Sequence, residues 1–186
     1  MACNILVDSC AYFRLAHSIH PLLNVEFGEE KHKLGVIQEL QNEYDKSPTL
    51  QSKFYWVADP EYSANRKRCF SLTNEQKAAI HNAFYFMRDT AREEELGVSK
   101  VDLTALSYAY VLGIPIVTDD SDMITLAKEY EIVVFKSLTL LHLMYKAGHI
   151  TKRKVREIAS YWVYLNDTPK RYKEDYERLF NARAPL

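Results

Sequence analysis

The chain has 186 residues, of which 47% are hydrophobic, and a formal net charge of −1. This length and apolar content are enough for one hydrophobic core, and with 13 tyrosines and 8 phenylalanines they exclude a disordered chain. The near-neutral charge argues against a protein that coats nucleic acid through bulk basicity.

The cysteine content and the hydropathy pattern indicate a cellular compartment. The three cysteines form no CxxC pair, which fits a reducing cytosol better than a disulfide framework. No basic and apolar leader begins the chain, and no stretch approaches the ~20 apolar residues that span a bilayer. We therefore expect a cytoplasmic protein that does not act at a membrane.

The N-terminal part of the chain gives mixed signals for secondary structure. Residues 4–7 predict a buried strand, and residues 9–17 predict a helix that ends before a proline. The apolar spacing over residues 28–44 predicts a second, amphipathic helix. The aromatic run at residues 54–57 predicts a strand.

From Thr73 onwards the pattern is clearer. Thr73 and Gln76 have the spacing of a capping box, which predicts the start of a long helix to Leu96. Alternating helices and strands follow, predicted at residues 99–112, 114–117, 123–130, 132–135, 138–145, 151–166 and 170–181. Because short links join them, the class is α/β: a central parallel sheet flanked by helices, with extra C-terminal helices.

Acidic residues follow two of the predicted strands. Asp8 follows the first strand, and Asp120 and Asp122 belong to a Thr-Asp-Asp-Ser-Asp run after the strand at 114–117. The carboxyl ends of parallel strands share one sheet edge, so these acids should converge there. Three carboxylates within four residues repel one another, and a bound cation would relieve that repulsion. Within the run we expect Asp120 to be the direct ligand, Asp122 a helper and Asp119 a surface residue.

Each acid also has an ordinary structural explanation. Asp8 and Asp120 could cap the helices that follow them, and Asp102 could complete a capping box with Ser99. A glutamate in the middle of the helix predicted at 28–44 cannot be such a cap; Glu39 lies on the shoulder of its apolar face, and Glu43 is the rival candidate.

A carboxylate cluster of this kind suits hydrolysis of a phosphodiester. Mg²⁺ prefers hard oxygen ligands and takes only a few carboxylates directly, so four or five acids divided between direct and indirect contacts would suffice. The hydroxyls of Ser9 and Thr118 could orient a metal-bound water or a phosphate oxygen, although capping would explain them equally well.

Four separated motifs carry a family resemblance. They are an apolar strand with Asp8-Ser9, a helix with Glu39-Leu40, the helix Asp102-Leu-Thr-Ala-Leu-Ser-Tyr-Ala, and Gly113-Ile-Pro-Ile-Val-Thr118-x-Asp120-x-Asp122. In this order and spacing the chain resembles a PIN-domain nuclease.

The resemblance implies a fold and an activity. The fold would be a three-layer PIN-like domain over residues 1–186, with a variable insertion around 47–96 and a helical extension at 151–186. The activity would be cleavage of single-stranded RNA that depends on Mg²⁺ or Mn²⁺. The core catalytic acids would be Asp8, Glu39, Asp102 and Asp120, with Asp122 as a further metal ligand and Ser9 and Thr118 as accessory groups.

Several functional readings stay open at this point. A free cytosolic nuclease would need restraint, so the chain could be the toxin of a type II toxin–antitoxin pair, with an antitoxin as partner and a homodimer as its assembly. The alternatives are a PIN-like module that binds RNA or protein without cutting, and a structure-specific DNA nuclease. The cluster Arg66, Lys67 and Arg68, flanked by aromatic residues, is the expected contact for nucleic acid, and residues 152–156 form a second basic cluster.

Overall fold

The computed structural model describes residues 4–19, 23, 25–67 and 69–186. Within them the strands are β1 Ile5–Val7, β2 Glu26–Phe27, β3 His32–Gly35, β4 Ile116–Val117 and β5 Val134–Phe135. They form one sheet in the order β2-β3-β1-β4-β5. The β2–β3 pair is antiparallel, and the β3–β1, β1–β4 and β4–β5 pairs are parallel.

Helices cover both faces of this sheet. They are α1 Ser9–Ile19, α2 Gln38–Lys46, α3 Pro48–Lys53, α4 Pro60–Arg66, α5 Asn74–Glu93, α6 Lys100–Leu112, α7 Ser121–Glu129, α8 Ser137–Lys146, α9 Lys152–Tyr164 and α10 Tyr172–Phe180. The predicted α/β class, with a mostly parallel central sheet and extra C-terminal helices, is confirmed. No helix among the described residues is both long and apolar enough to cross a membrane.

The alternation of side chains along the central strands divides the interior into two cores. Ile5 and Val7 of β1 face a core that includes residues of α1, α8, α9 and α10. Leu6, between them, faces the opposite core, which includes residues of α5, α6 and α7. Val117 and Ile116 of β4 divide in the same way. This is the period of two that a strand buried on both faces imposes.

The C-terminal helices are part of the first core. Trp162 of α9 is 1% exposed, and its Nε1 donates a hydrogen bond of 3.2 Å to the backbone oxygen of Arg14 in α1. Tyr176 and Phe180 of α10 are buried in the same core. The extension at 151–186 therefore covers the face of the sheet towards which Ile5 and Val7 of β1 point. The division into a core domain, an insertion and an extension stays a prediction.

The predicted helix over 28–44 is wrong in its first half. There, β2 and β3 form a hairpin whose turn contains Gly28 and Lys31, both with positive φ. The strand β3 then pairs with β1 through Leu34. The helix begins only at Gln38. Short apolar runs do not distinguish strand from helix, and pairing with a buried central strand decided the outcome here.

The predicted strand at 54–57 is also wrong. Residues Tyr55–Ala58 form a 3-10 helix between two short helices, with Trp56 and Val57 buried. Pro48 and Pro60 each stand at the start of a helix. Proline favours that position because its missing N–H is not needed in the first turn. The aromatic residues here serve core packing rather than strand pairing.

The parallel strands position the acids at one edge of the sheet. The Asp8 amide donates to the Val117 oxygen at 3.1 Å, and the Thr118 amide donates to the Phe135 oxygen at 3.0 Å. These bonds extend the ladders one residue beyond β1 and β4, so Asp8 and Thr118 stand side by side. Convergence of strand ends, which the sequence predicts, is thus present for these two residues.

The packing of the extension generates a stability prediction. We expect Trp162→Ala to lower the free energy of unfolding by about 3–5 kcal/mol, because it empties a buried site in the first core. Tyr164 lies on the same helix but is 83% exposed, so Tyr164→Ala should change stability by less than about 0.5 kcal/mol. Urea unfolding followed by circular dichroism measures both. Equal effects of the two substitutions would contradict the placement of α9.

Candidate functional site

Asp8 is the most deeply buried acid of the candidate site. Its residue is 2% exposed, and its Oδ1 accepts a hydrogen bond of 2.5 Å from the Ala11 amide in the first turn of α1. Burial raises the pKa of the carboxyl from 3.8 to about 7, against the lowering effects of hydrogen bonds from Thr118 and Ala11. The charges of Asp102 and Asp119 raise this pKa further.

Two neighbours of Asp8 are unusual for an ordinary helix start. The Ser9 Oγ is buried and has no hydrogen-bond partner among the described residues. The Cys10 thiol has its pKa raised to about 12, first by desolvation and then by the charges of Asp8, Asp102 and Glu43, although the residue as a whole is exposed. The thiol is therefore neutral at physiological pH and is not a nucleophile. The charges of three carboxylates therefore act on this one thiol.

Asp102 has the capping role that its spacing predicts. Its Oδ2 accepts a hydrogen bond of 3.1 Å from the Ser99 amide, and the Ser99 hydroxyl accepts one of 3.2 Å from the Asp102 amide. This reciprocal pair starts α6. Since Asp102 also acts on Asp8 and Cys10, one carboxylate both caps the helix and contributes charge to the site.

The acidic run after β4 is divided between structural contacts. Asp120 is exposed, and its Oδ1 caps α7 by accepting from the amides of Asp122 and Met123, both at 2.9 Å. The Oδ2 of Asp122 accepts from the Gly97 amide at 2.9 Å, which joins α7 to the loop between α5 and α6. A Cβ at Gly97 would lie 3.1 Å from that oxygen. The Thr118 hydroxyl accepts from the Asp120 amide at 3.1 Å and fixes the start of the run.

The prediction that Asp119 is a surface residue is wrong. Its side chain is 10% exposed and forms an ion pair with Arg14 of α1. It also accepts hydrogen bonds from the Ser137 hydroxyl at 2.5 Å and the Ser137 amide at 3.2 Å. Arg14 in turn bonds Asp167, in the loop after α9, at 3.0 Å. Asp119 therefore anchors the acidic run to three other parts of the fold.

The structure distinguishes the two glutamates of α2. Glu43 raises the pKa of Cys10 together with Asp8 and Asp102, whereas Glu39 acts on Tyr108 of α6. Each glutamate has a buried Oε2 without a hydrogen-bond partner among the described residues. Because α2 begins at Gln38, the position of Glu39 relative to Val36 on a helix is not meaningful. Glu43 is the glutamate that shares an environment with Asp8 and Asp102.

The acids surround the site without closing into a cage. Among the described residues, no three side chains of histidine, cysteine, aspartate or glutamate are close enough to hold a metal ion as a group. One oxygen each of Asp102, Asp120 and Asp122 is committed to a backbone amide. The second oxygen of each has no donor among the protein groups that the structure describes.

The basic cluster does not have the expected surface position. Arg66 is 6% exposed, and its guanidinium donates to the Tyr12 hydroxyl at 2.9 Å and to the Gln41 Oε1 at 2.6 Å. It therefore connects α4 to α1 and α2 and is not available to a phosphate at the surface. Lys67 is exposed, and Arg68 lies outside the described residues.

Arg14 is the site residue that sequence reasoning missed. In α1, with the sequence Ser-Cys-Ala-Tyr-Phe-Arg-Leu-Ala-His-Ser-Ile, it is the one residue of fixed charge. A guanidinium on a helix that packs into the core must find a carboxylate, since burying it alone is very costly. The single charge in this helix was therefore the signal for a buried ion pair, and the acidic run after β4 contains the partner, Asp119.

Comparison with known proteins gives little further information. No protein-family model and no curated protein matches the chain. Among solved structures, it is similar to the crystal structure of FitAcB from Neisseria gonorrhoeae, with 11% identity, a TM-score of 0.45, and coverage of 72% of this chain and 97% of that chain. An overlap at this identity and score does not establish a shared family.

The buried carboxyl of Asp8 generates a pH prediction for the metal-free protein. Its pKa is raised from 3.8 to about 7, so between these values the folded state holds a proton that the unfolded state has lost. The contribution of Asp8 to the free energy of unfolding should therefore fall as pH rises from about 4 to about 7, and then level off. Asp8→Asn should remove this component, because an amide does not titrate.

Urea unfolding in chelator across this pH range measures the effect. The control is Asp59→Asn, which changes an exposed acid at the start of α4 and should leave the pH dependence as in the wild type. If Asp8→Asn and the wild type lose stability in parallel as pH rises, the assigned burial of the Asp8 charge is wrong.

Proposed function

We propose that this chain is a metal-dependent nuclease of the PIN type that hydrolyses phosphodiester bonds in single-stranded RNA. The observation that carries the proposal is the buried Asp8 carboxyl at the end of β1, on which other acids act and beside which the Ser9 hydroxyl has no partner. A fold does not retain such a group without cost, because burial opposes its charged form. A function that requires a carboxylate at that position would justify the cost.

The donor set fits a hard divalent cation, Mg²⁺ or Mn²⁺. Asp8 and Asp102, with Asp120 and Asp122, would hold it, and Glu43 or Glu39 would add an acid from α2. Mg²⁺ keeps several waters and is commonly bound through one or two carboxylates, so an open arrangement of acids is compatible with binding. When bound, a divalent cation would lower the pKa of a coordinated water and stabilise charge on the leaving oxygen of the phosphodiester.

The protein side chains would set the conditions for this chemistry. Burial keeps a proton on Asp8 up to about pH 7, so the affinity of the site for a cation should increase as pH rises through that value. A hydrogen bond from Thr118 lowers the pKa of the Asp8 carboxyl, against the larger effect of burial. The Ser9 hydroxyl has no partner among the described residues and would bond a metal-bound water or a phosphate oxygen.

A second candidate function is a PIN-like module that binds RNA or protein without cutting it. The observation in its favour is that Asp102, Asp120 and Asp122 each bond a backbone amide. These contacts give the fold a reason to keep the acids even without catalysis. A structure-specific DNA nuclease would use the same acids as the RNA-cleaving enzyme. Activity measurements on both nucleic acids separate the three.

The nuclease proposal predicts metal-dependent cleavage that the core acids control. Purified protein with labelled single-stranded RNA should cleave in Mn²⁺ or Mg²⁺ and stop in chelator. Asp8→Asn and Asp120→Asn should each reduce the rate by about 100-fold or more, because loss of a ligand should exceed the effect of losing an outer contact. Asp59→Asn is the matched control and should retain the wild-type rate.

Thermal unfolding gives a second readout that does not depend on activity. Saturating Mn²⁺ should raise the unfolding temperature of the wild type and of Asp59→Asn, but not of Asp8→Asn, because a cation that binds only the folded state stabilises it. Cleavage that persists in Asp8→Asn would indicate a contaminant and would refute the enzyme assignment. Metal-dependent stabilisation without any cleavage would favour the non-catalytic module.

We further propose that the nuclease is the toxin of a type II pair, restrained by an antitoxin, and that it forms a homodimer. Induced expression of the chain alone should arrest growth of a bacterial host, and Asp102→Asn should abolish the arrest while accumulating to the same level. A small adjacent reading frame for a DNA-binding protein should relieve the arrest on co-expression. Normal growth with the wild-type chain at high level would exclude the toxin role and leave the nuclease proposal in place.

A further inference from the structure

A continuous groove runs between α5 and α6 and reaches the acids of α2. It consists of three adjoining cavities of about 470, 350 and 370 Å³. The first two share Phe84, Tyr85 and Lys100 in their walls, and the second and third share Glu39, Lys100 and Thr104. We call this feature the α5–α6 groove. Lys100 lines all three parts and lies two residues before Asp102.

One face of α5 supplies most of the cations in the groove. Residues at intervals of three or four lie in a single stripe along a helix, and on α5 this stripe consists of Lys77, His81, Tyr85, Arg88 and Arg92. The stripe extends over ~22 Å of helix, at ~1.5 Å per residue. It adjoins the buried stripe of Ile80, Ala83, Met87 and Ala91, so packing of α5 fixes its direction.

Four of the groove cations are available to a ligand: Lys46, Lys77, Arg92 and Lys100. All four are exposed, and no carboxylate in the part of the chain that the structure describes forms an ion pair with them. Arg88 differs, because it pairs with Asp89 at 2.8 Å. Unpaired cations spaced along a groove are the arrangement that neutralises the phosphates of a nucleic-acid backbone.

Aromatic rings lie among these cations. Tyr85 is 42% exposed, with its ring centroid 4.8 Å from that of His81 and 4.7 Å from the Arg88 guanidinium. Phe84 and Tyr108 line the same part of the groove. The His81 and Tyr85 rings meet edge to face, with an interplanar angle of 73°. Exposed aromatic rings stack on unpaired bases, whereas paired bases inside a duplex cannot reach them. The groove therefore favours a single strand over a double strand.

We propose that the α5–α6 groove binds single-stranded nucleic acid, with phosphates at Lys77, Lys100 and Arg92 and a base stacked on Tyr85. This inference rests on the proposed function, because it identifies the path by which a single strand would reach the acids. The groove leads along Lys100, two residues before Asp102, to Glu39 and Glu43 of α2. Exposed cations on the other side of α2, and not the buried Arg66, would therefore contact the phosphates.

Binding to short oligonucleotides in chelator tests the groove without any cleavage. Fluorescence anisotropy with labelled 12-mers of uridine RNA and thymidine DNA gives affinities over a range of salt concentrations. For Lys77→Gln combined with Lys100→Gln, the slope of log affinity against log salt should become shallower by about 1.4, since each single-strand phosphate contact contributes about 0.7. Tyr85→Ala should weaken binding about tenfold.

The matched control is Lys128→Gln combined with Lys173→Gln, which removes two exposed lysines of α7 and α10 that line none of the three cavities. This control should keep the wild-type slope. Equal changes in the control and in the groove variant, or an unchanged slope in the groove variant, would overturn the proposal. A duplex of the same length that binds as tightly as the single strands, with the same loss in Tyr85→Ala, would also overturn it.

The experiment separates the groove from the nuclease activity. Asp8→Asn should bind the 12-mers with the same dependence on Lys77, Lys100 and Tyr85 as the wild type. If the wild type cleaves RNA but the groove variants bind unchanged, the groove assignment is wrong and the nuclease assignment stands. If the groove variants lose binding but no metal-dependent cleavage occurs, the groove assignment stands and the nuclease assignment is wrong.

Discussion

The ion pair between Arg14 and Asp119 holds the candidate site to the rest of the fold. Asp119 follows β4 and bonds Ser137 at the start of α8, and Arg14 adds Asp167 from the loop after α9. Burial alone would lower the pKa of Arg14, but Asp119 and Asp167 more than offset this and raise it. Removing one partner of such a pair typically costs about 3–5 kcal/mol, because the remaining charge stays buried. The C-terminal extension and the acidic edge are therefore energetically connected.

This interaction also determines which acids are available for chemistry. Asp119 is occupied by Arg14 and Ser137, so the run after β4 contributes Asp120 and Asp122 to the exposed edge. Arg14 does not fully cancel the charge of Asp119, because that charge still raises the pKa of Asp8. Repulsion between the acids at the strand ends is thus only partly reduced by one internal guanidinium. Within the run, Asp119 has a structural role, and a catalytic role for Asp120 and Asp122 stays a prediction.

The sequence was sufficient where a local interaction decides the structure. Thr73 with Gln76, and Ser99 with Asp102, form the capping boxes that their spacing predicts, and Gly113 ends α6 in the left-handed conformation with a φ of 63°. The position of Asp8 and Thr118 at one sheet edge was predictable too, because parallel strands must align their carboxyl ends. Each of these features depends on residues within about four positions of one another or on a general property of the sheet.

The remaining features depend on long-range partners that spacing does not reveal. The strand β3 exists because Leu34 and Gly35 pair with β1, 29 residues earlier in register. Arg66 is internal because Tyr12 and Gln41 accept its hydrogen bonds, although its neighbours in sequence suggested a surface cluster. A pattern of residue types shows that a segment is apolar. Contacts with distant parts of the chain then decide whether that segment forms a strand or a helix.

The two glutamates of α2 differ in their angular position on the helix. With the helix beginning at Gln38, its buried positions are Leu40 and Tyr44. At ~100° per residue, Glu43 lies ~60° from Leu40 and ~100° from Tyr44, whereas Glu39 lies ~100° and ~140° from them. Glu43 is thus nearer the buried side, where its charge reaches Cys10, and Glu39 is turned towards Tyr108. The same order holds on the longer predicted helix, where Glu43 would lie ~20° from Val36 and Glu39 ~60°. Helix geometry therefore favours Glu43 in both cases, and the choice of Glu39 as the helical acid stays a prediction based on the family resemblance.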